Sequence, residues 1–154
     1  MEQLRDFTEL DVVGALHRLP TVRDDALERL MFAGLNLAAA VFAGDEGIRA
    51  GVLQGAGAFV AGALLAISLR DGEAADVDRI WLSGGAAEIN ARGRHAVIAE
   101  HCDLRAVAVV ERAYAHELAS QITGLSDEDA HRLRGALVRL FEGGLALGLL
   151  GEAG

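Results

Sequence analysis

A run of twenty residues without a charge, positions 50–69, constrains the fold more than any other part of the sequence. It belongs to a Gly- and Ala-rich segment, 47–69, in which glycines recur at every fourth position as Gly47, Gly51 and Gly55. Small residues four apart share one face of a helix, where they let a neighbouring backbone approach closely. Each interior glycine costs roughly 0.5–1 kcal/mol relative to Ala, so tight packing must offset the cost. The segment therefore predicts a buried central helix.

The composition predicts that the other elements are helical too. The chain has 154 residues, the size of one domain, and is 52% hydrophobic but only 5% aromatic. Ala, Leu and Val must therefore fill the core, and this composition favours packed helices over strands. We predict an all-α fold: a single-domain bundle over residues 1–154, with five or six helices around the Gly/Ala-rich helix.

Capping patterns and chain breakers predict where the helices begin and end. A first helix over 3–19 ends before Pro20, and a second runs from the capping pattern at Thr21 and Asp24 to about residue 43. A short turn at Gly44 predicts that the second helix and the central helix are antiparallel. The later segments are a short helix over 76–83, a helix over 86–101 interrupted near Gly93, a helix over 103–123, and a last helix opened by Ser126 and Asp129.

Charge and cysteine content exclude several classes of partner. The net charge is −9, and all fourteen basic residues are arginines, so the chain should repel a phosphate backbone; we predict no nucleic-acid partner. A single cysteine, Cys102, is compatible with a reducing compartment, and residues 1–10 have no apolar core like that of a signal peptide. The sequence thus predicts a cytoplasmic protein.

The uncharged segment is also long enough to span a membrane. Gln54 lies inside it, its glycines lower the hydrophobicity, and arginines at both ends give no orientation bias. These features favour a buried helix in a soluble protein, with membrane insertion as the less favoured alternative.

Two surfaces of small residues, on the central helix and on the apolar tail over 143–151, predict self-association. Exposing an apolar tail is unfavourable, so it should pack into the core or onto a second subunit. Together these surfaces exceed what one small domain easily covers, and we predict a homodimer.

Glu111 is the strongest candidate for chemistry. It interrupts an apolar helical stripe that includes Val107, Tyr114 and Leu118. A carboxylate there is costly unless it is paired, and burial would raise its pKa towards values useful for acid–base catalysis. Glu111 is either a structural partner of Arg, His or Tyr on a facing helix, or a general acid or base assisted by His95 or His116.

The segment 91–102 holds the densest basic cluster, with Arg92, Arg94 and His95 around Gly93. Arginine suits carboxylate or phosphate ligands. Arg92 and Arg94 point in different directions on a continuous helix, so both reach one ligand only if Gly93 opens a loop. The alternative is a solvated helix end.

Four further residues are candidates for a ligand pocket or for structural roles. Asn36 and Gln54 interrupt the two most apolar helices and could face a shared interior, where they would bind each other or a ligand. Trp81 and Tyr114 are large amphipathic aromatics that suit pocket walls or core anchors.

The spacing of the histidines predicts no metal site on a single helix and leaves open a site assembled from separate helices; we predict no cofactor. No two histidines lie three or four residues apart, and Glu128–His131 is the only Glu-x-x-His pair. Three hypotheses remain: binding of a small, largely apolar molecule within the bundle; a small cofactor-free enzyme that uses Glu111; and an assembly protein that associates through its small-residue helix faces.

Overall fold

The computed structural model of the chain describes residues 24–70 and 93–150. Within these ranges the chain forms five α-helices, one short 3₁₀ helix over Arg49–Gly51, and no strand. The α-helices are α1 (Asp24–Phe42), α2 (Val52–Arg70), α3 (Arg94–Ala99), α4 (Leu104–Ala119) and α5 (Asp127–Leu150). The predicted all-α fold is confirmed. The helices predicted over 3–19 and 76–83 lie outside the described residues, as does the part of the predicted 86–101 helix before Gly93.

The predicted central helix is α2, which lies between α1 and α5. Residues 58–63 are all buried, so this stretch of the helix has no solvent-facing side. The first turn of the predicted 47–69 helix is instead the 3₁₀ helix, and the α-helix begins at Val52.

The closest helix contact in the described residues joins α2 to α5. Gly62 in α2 lies against the backbone of α5 at Phe141 and Leu145, and a Cβ there would lie 2.8 Å from the Leu145 nitrogen. Gly144 in α5 lies in turn against the backbone of α2 at Phe59 and Ala63. From one end of the contact to the other, Gly51 lies against Leu133 and Ala66 lies against Gly148, so residue numbers increase together and α2 and α5 run parallel. This close approach offsets the cost of the interior glycines.

The contact between α1 and α2 has the opposite sense. Gly34 in α1 lies against Ala56, whereas Ala38 and Phe42, further along α1, lie against Gly55, which comes earlier in α2. The two helices are therefore antiparallel, as the short connection predicted. The Asp45 side chain closes that connection by accepting a hydrogen bond of 3.1 Å from the Gly47 nitrogen.

The small-residue faces are covered within one chain. A Cβ at Gly51 would lie 2.5 Å from Leu133 Cδ1, and one at Gly55 would lie 2.8 Å from Leu140 Cδ1, both on α5. The apolar tail is buried through Leu149 and packs into the core. Covering these faces therefore does not require a second subunit. The homodimer and the assembly hypothesis stay predictions, and the small-residue faces no longer argue for them.

One window of the described helices, Arg49–Ala66, is long and apolar enough to cross a membrane. However, 61% of the window is buried inside the protein, and a buried core helix of a soluble protein can be just as long and apolar. Length and composition do not separate these cases, so cytoplasmic localisation stays a prediction.

Side-chain caps and glycines set the helix ends near the candidate site. The Asp103 carboxylate accepts a 2.9 Å hydrogen bond from the Arg105 nitrogen at the start of α4. Gly93 and Gly124 have φ values of 88° and 83°, a left-handed region that favours glycine; Gly93 directly precedes α3, and Gly124 lies between α4 and α5. Helix α3 begins directly after Gly93, but the predicted helix before it lies outside the described residues, so the interruption stays a prediction. Helix α4 ends at Ala119 rather than at residue 123. Just after this end, the Ser120 hydroxyl donates a hydrogen bond to the Glu117 carbonyl.

Helix α5 begins with the predicted cap, in which Ser126 Oγ accepts a 3.1 Å hydrogen bond from the Asp129 nitrogen. Ser126→Ala is expected to lower the free energy of unfolding by about 1 kcal/mol, because it leaves that amide without its side-chain acceptor. Urea denaturation of the two proteins would measure the difference. Ser126→Asp should retain most of the stability, and an equal loss in both variants would contradict a capping role.

Candidate functional site

Glu111 lies on α4 with its side chain turned into the protein. The residue is 7% exposed and has apolar neighbours one helical turn away, Val107 and Ala115. Burial raises the pKa of Glu111 to about 8; a hydrogen bond to Glu142 and the charge of Glu142 also raise it, against opposing charges on Arg94 and Arg112. The carboxyl group therefore holds a proton at neutral pH.

The partner of Glu111 is a second buried carboxyl group, Glu142 on α5, which sequence reasoning missed. Glu142 is 4% exposed. Arg94 Nε donates a 2.7 Å hydrogen bond to Glu142 Oε1, and His95 Nε2 lies 2.8 Å from Oε2. Burial alone would raise the pKa of Glu142, but the hydrogen bonds from Arg94, Glu111 and His95 outweigh it and lower the pKa.

A single proton explains how two carboxyl groups lie side by side here. Glu111 Oε2 is fully buried and has no hydrogen-bond donor among the described residues. Two ionised carboxylates would both be acceptors and would repel each other. A proton on Glu111, donated to the ionised Glu142, removes both problems and splits the two pKa values in opposite directions.

The sequence around Gly93 positions the two basic side chains. Gly93 precedes the first turn of α3, so Arg94 and His95 come at the very start of this helix. Val97 and Ile98 are fully buried and hold α3 against the bundle. The arrangement places Arg94 and His95 on Glu142, while Arg92 lies outside the described residues.

These groups border a cleft of about 350 Å³ between α3, α4 and α5. Its lining combines four polar side chains with four apolar ones: Arg94, His95, Glu111, Glu142, Leu104, Val107, Ala108 and Val138. An apolar surface with a few convergent polar groups at one cleft is typical of a small-molecule site.

The structure brings together two of the three proposed acid–base residues. Glu111 and His95 share the cleft, but His116 lines a different cavity. His116 comes five positions after Glu111, which corresponds to a net rotation of about 140° around the helix axis, so the two side chains lie on different sides of α4.

The four proposed pocket residues are scattered. Asn36 is exposed, and Gln54 donates a 3.3 Å hydrogen bond to Gln121 instead, so the shared interior expected for Asn36 and Gln54 is not formed. Tyr114 packs on Phe141, with ring centroids 5.8 Å apart. Trp81 lies outside the described residues.

The described residues include one thiol, that of Cys102. Cys102 is buried, and burial raises the pKa of its thiol to about 12, far from the reactive thiolate. Among the described residues no group of three or more His, Cys, Asp or Glu side chains is arranged to hold a metal ion.

Comparison with known proteins provides no functional assignment: no family model matches the sequence, and no curated protein or solved structure is significantly similar to it.

Proposed function

We propose that the cleft between α3, α4 and α5 binds a small, largely apolar molecule that carries a hydroxyl group. The observation that carries the proposal is the buried carboxyl group of Glu111 at the cleft, beside the buried Glu142, where burial raises its pKa and favours the protonated form. Burying two carboxyl groups destabilises the fold unless each is hydrogen-bonded or paired with an opposite charge.

The hydroxyl group of the ligand is inferred from the hydrogen-bonding capacity that Glu111 does not use on Glu142. A protonated carboxyl group has one donor, and Glu111 uses it on Glu142. What Glu111 still offers to a ligand is acceptor capacity, so the complementary group on the ligand is a donor. Arg94 and His95 already contact Glu142 and contribute polarity at the same end of the cleft.

The size of the cleft limits the ligand. A volume of about 350 Å³ lies at the lower end of small-molecule sites, which are typically about 300–1,000 Å³. Leu104, Val107 and Val138 supply an apolar surface for a ring or a short aliphatic chain. A hydroxylated monocyclic compound fits this description.

Phenol and toluene test the proposal because they match in size and differ in the hydroxyl group. At pH 7 the wild-type protein is expected to bind phenol about tenfold more tightly than toluene, the value of one hydrogen bond to a buried group. Titration followed by methyl NMR would give both affinities, with the largest shifts at Leu104, Val107 and Val138.

Glu111→Leu provides the decisive comparison. It is expected to abolish the preference for phenol while keeping toluene bound, because the added apolar surface suits the cleft and Glu142 retains Arg94 and His95. Glu117→Leu, at an exposed position of the same helix, is the matched control and should keep the preference. A preference that survives Glu111→Leu, or toluene binding as tightly as phenol to the wild type, would contradict the proposal.

Acid–base catalysis in the same cleft is the second candidate function. It is favoured by one specific observation: the environment pushes the pKa values of Glu111 and Glu142 apart, the arrangement that separates a proton donor from a proton acceptor. Glu111→Gln separates the two functions. The amide keeps an acceptor oxygen but has no transferable proton, so phenol binding would survive while turnover of any substrate in the cleft would be lost.

A further inference from the structure

A second cavity, of about 360 Å³, lies on another part of the boundary between α4 and α5. Arg112 and His116 line it from α4, and His131 and Arg134 line it from α5. The remaining lining residues are small or apolar: Ala115, Gly135 and Val138. The cavity therefore combines four nitrogen-bearing side chains with an apolar floor and has no carboxylate in its lining.

The spacing of the four side chains places them on facing stripes. Arg112 and His116 are four residues apart, and His131 and Arg134 are three apart, so each pair shares one face of its helix. Within the described residues, none of the four forms an ion pair with a carboxylate. Arg112 Nε donates to the Ala108 carbonyl at 3.1 Å, which leaves its two terminal nitrogens for other partners.

This concentration of donors contrasts with the rest of the protein, whose net charge is −9. Two other described arginines are paired with acids: Arg94 with Glu142, and Arg132 with both Asp45 and Asp129. Arg112 and Arg134 line one cavity whose lining holds no carboxylate, so an anion bound there would meet two guanidinium groups.

We propose that this cavity binds a small organic phosphate. A phosphate monoester offers three terminal oxygens, which suits donors arriving from two helices, whereas a carboxylate offers two. Each imidazole has an N–H to donate whether or not it is protonated. The organic part of the ligand lies over Ala115 and Val138. This site shares Val138 with the Glu111 cleft but holds neither Glu111 nor Glu142, so it does not rest on the function proposed for that cleft.

Gly135 provides a way to fill the cavity without disturbing the fold. No atom lies within 4 Å of the position that a Cβ would occupy at Gly135. Gly143, on the same helix, is equally open but lies at a different cavity, beside Leu140 and Arg139. Both positions are interior to α5, where replacing glycine with leucine favours the helix.

Phenyl phosphate is the probe, titrated by calorimetry at pH 7 and low salt. The wild-type protein is expected to bind it with a dissociation constant below about 1 mM. Arg134→Gln should weaken binding about tenfold, the value of one charge-assisted hydrogen bond. Gly135→Leu should abolish binding by occupying the cavity, whereas the matched Gly143→Leu should leave the affinity unchanged. Glu111→Leu should also leave it unchanged, since that residue lines the other cleft.

Three results would overturn the proposal. The first is no heat of binding to a folded wild-type protein at about 1 mM phenyl phosphate. The second is equal binding by Gly135→Leu and Gly143→Leu, which would place the anion elsewhere. The third is benzoate binding as tightly as phenyl phosphate, which would replace the phosphate with a carboxylate. Circular dichroism of each variant confirms that a loss of binding is not a loss of structure.

Discussion

Gly62→Ala is expected to lower the free energy of unfolding by at least about 3 kcal/mol, a large share of the 5–15 kcal/mol that stabilises an ordinary domain. The added Cβ would overlap the carbonyl oxygen of Phe141 and lie 2.8 Å from the nitrogen of Leu145. Both are backbone atoms of a packed helix, so neither can rotate away as a side chain would. Helices α2 and α5 would have to separate, with loss of contacts along the whole core. Urea denaturation monitored by circular dichroism measures the change.

Gly57→Ala is the matched control for this prediction. Gly57 lies in the same helix, five residues away, and no atom lies within 4 Å of the position of its Cβ. There the substitution should stabilise the protein by roughly 0.5–1 kcal/mol, the ordinary gain from replacing an interior helical glycine. If Gly62→Ala and Gly57→Ala had the same effect, the close backbone contact between α2 and α5 would not exist.

The central helix could be predicted from the sequence, but its partner could not. Glycines spaced four apart predict that some backbone approaches closely, but Gly51 and Gly55 lie against side chains of other helices, and the close backbone approach is at Gly62. A small residue leaves room for any neighbour, however, and carries no information about which one. The homodimer prediction assigned the glycine faces to a second subunit, whereas Gly144 and Gly148 of α5 supply the complementary surface within the same chain.

The candidate site was predicted in part. Glu111 stood out because a carboxylate interrupts an apolar stripe, and it is buried as that pattern indicates. The same pattern surrounds Glu142, which follows Val138 by four residues and precedes Leu145 by three. The sequence signal for Glu142 is therefore the same as that for Glu111: a carboxylate that interrupts an apolar stripe. The expected partner of Glu111 was Arg, His or Tyr, since two acids attract only when a proton lies between them, and a sequence does not show that proton.

The stability of the wild-type protein is expected to fall as the pH rises from 4.5 to 8 because of Glu111. Its pKa is 4.5 in an unfolded chain and about 8 in the folded protein, so between these values only the folded state holds the proton. The stabilisation is fully present below pH 4.5 and is lost as the pH rises through 8, by at most about 1.4 kcal/mol per pH unit. Glu142 contributes with the opposite sign: its pKa is lowered on folding, so its contribution is present above pH 4.5 and is lost on further acidification.

Glu111→Gln isolates this effect, because the amide can donate to Glu142 at every pH without titrating. Relative to the wild type, the variant should gain stability steadily between pH 4.5 and 8 and reach a constant advantage of a few kcal/mol above that range. Urea denaturation of both proteins at pH 5, 7 and 9 measures this difference, in which the titration of all other groups cancels. Glu117→Gln, on the exposed face of α4, controls for the change in net charge. A difference between Glu111→Gln and the wild type that stays constant from pH 5 to pH 9 would mean that Glu111 is ionised in the folded protein. In that case the shared proton, and with it the hydroxyl-binding site argued from it, would be wrong.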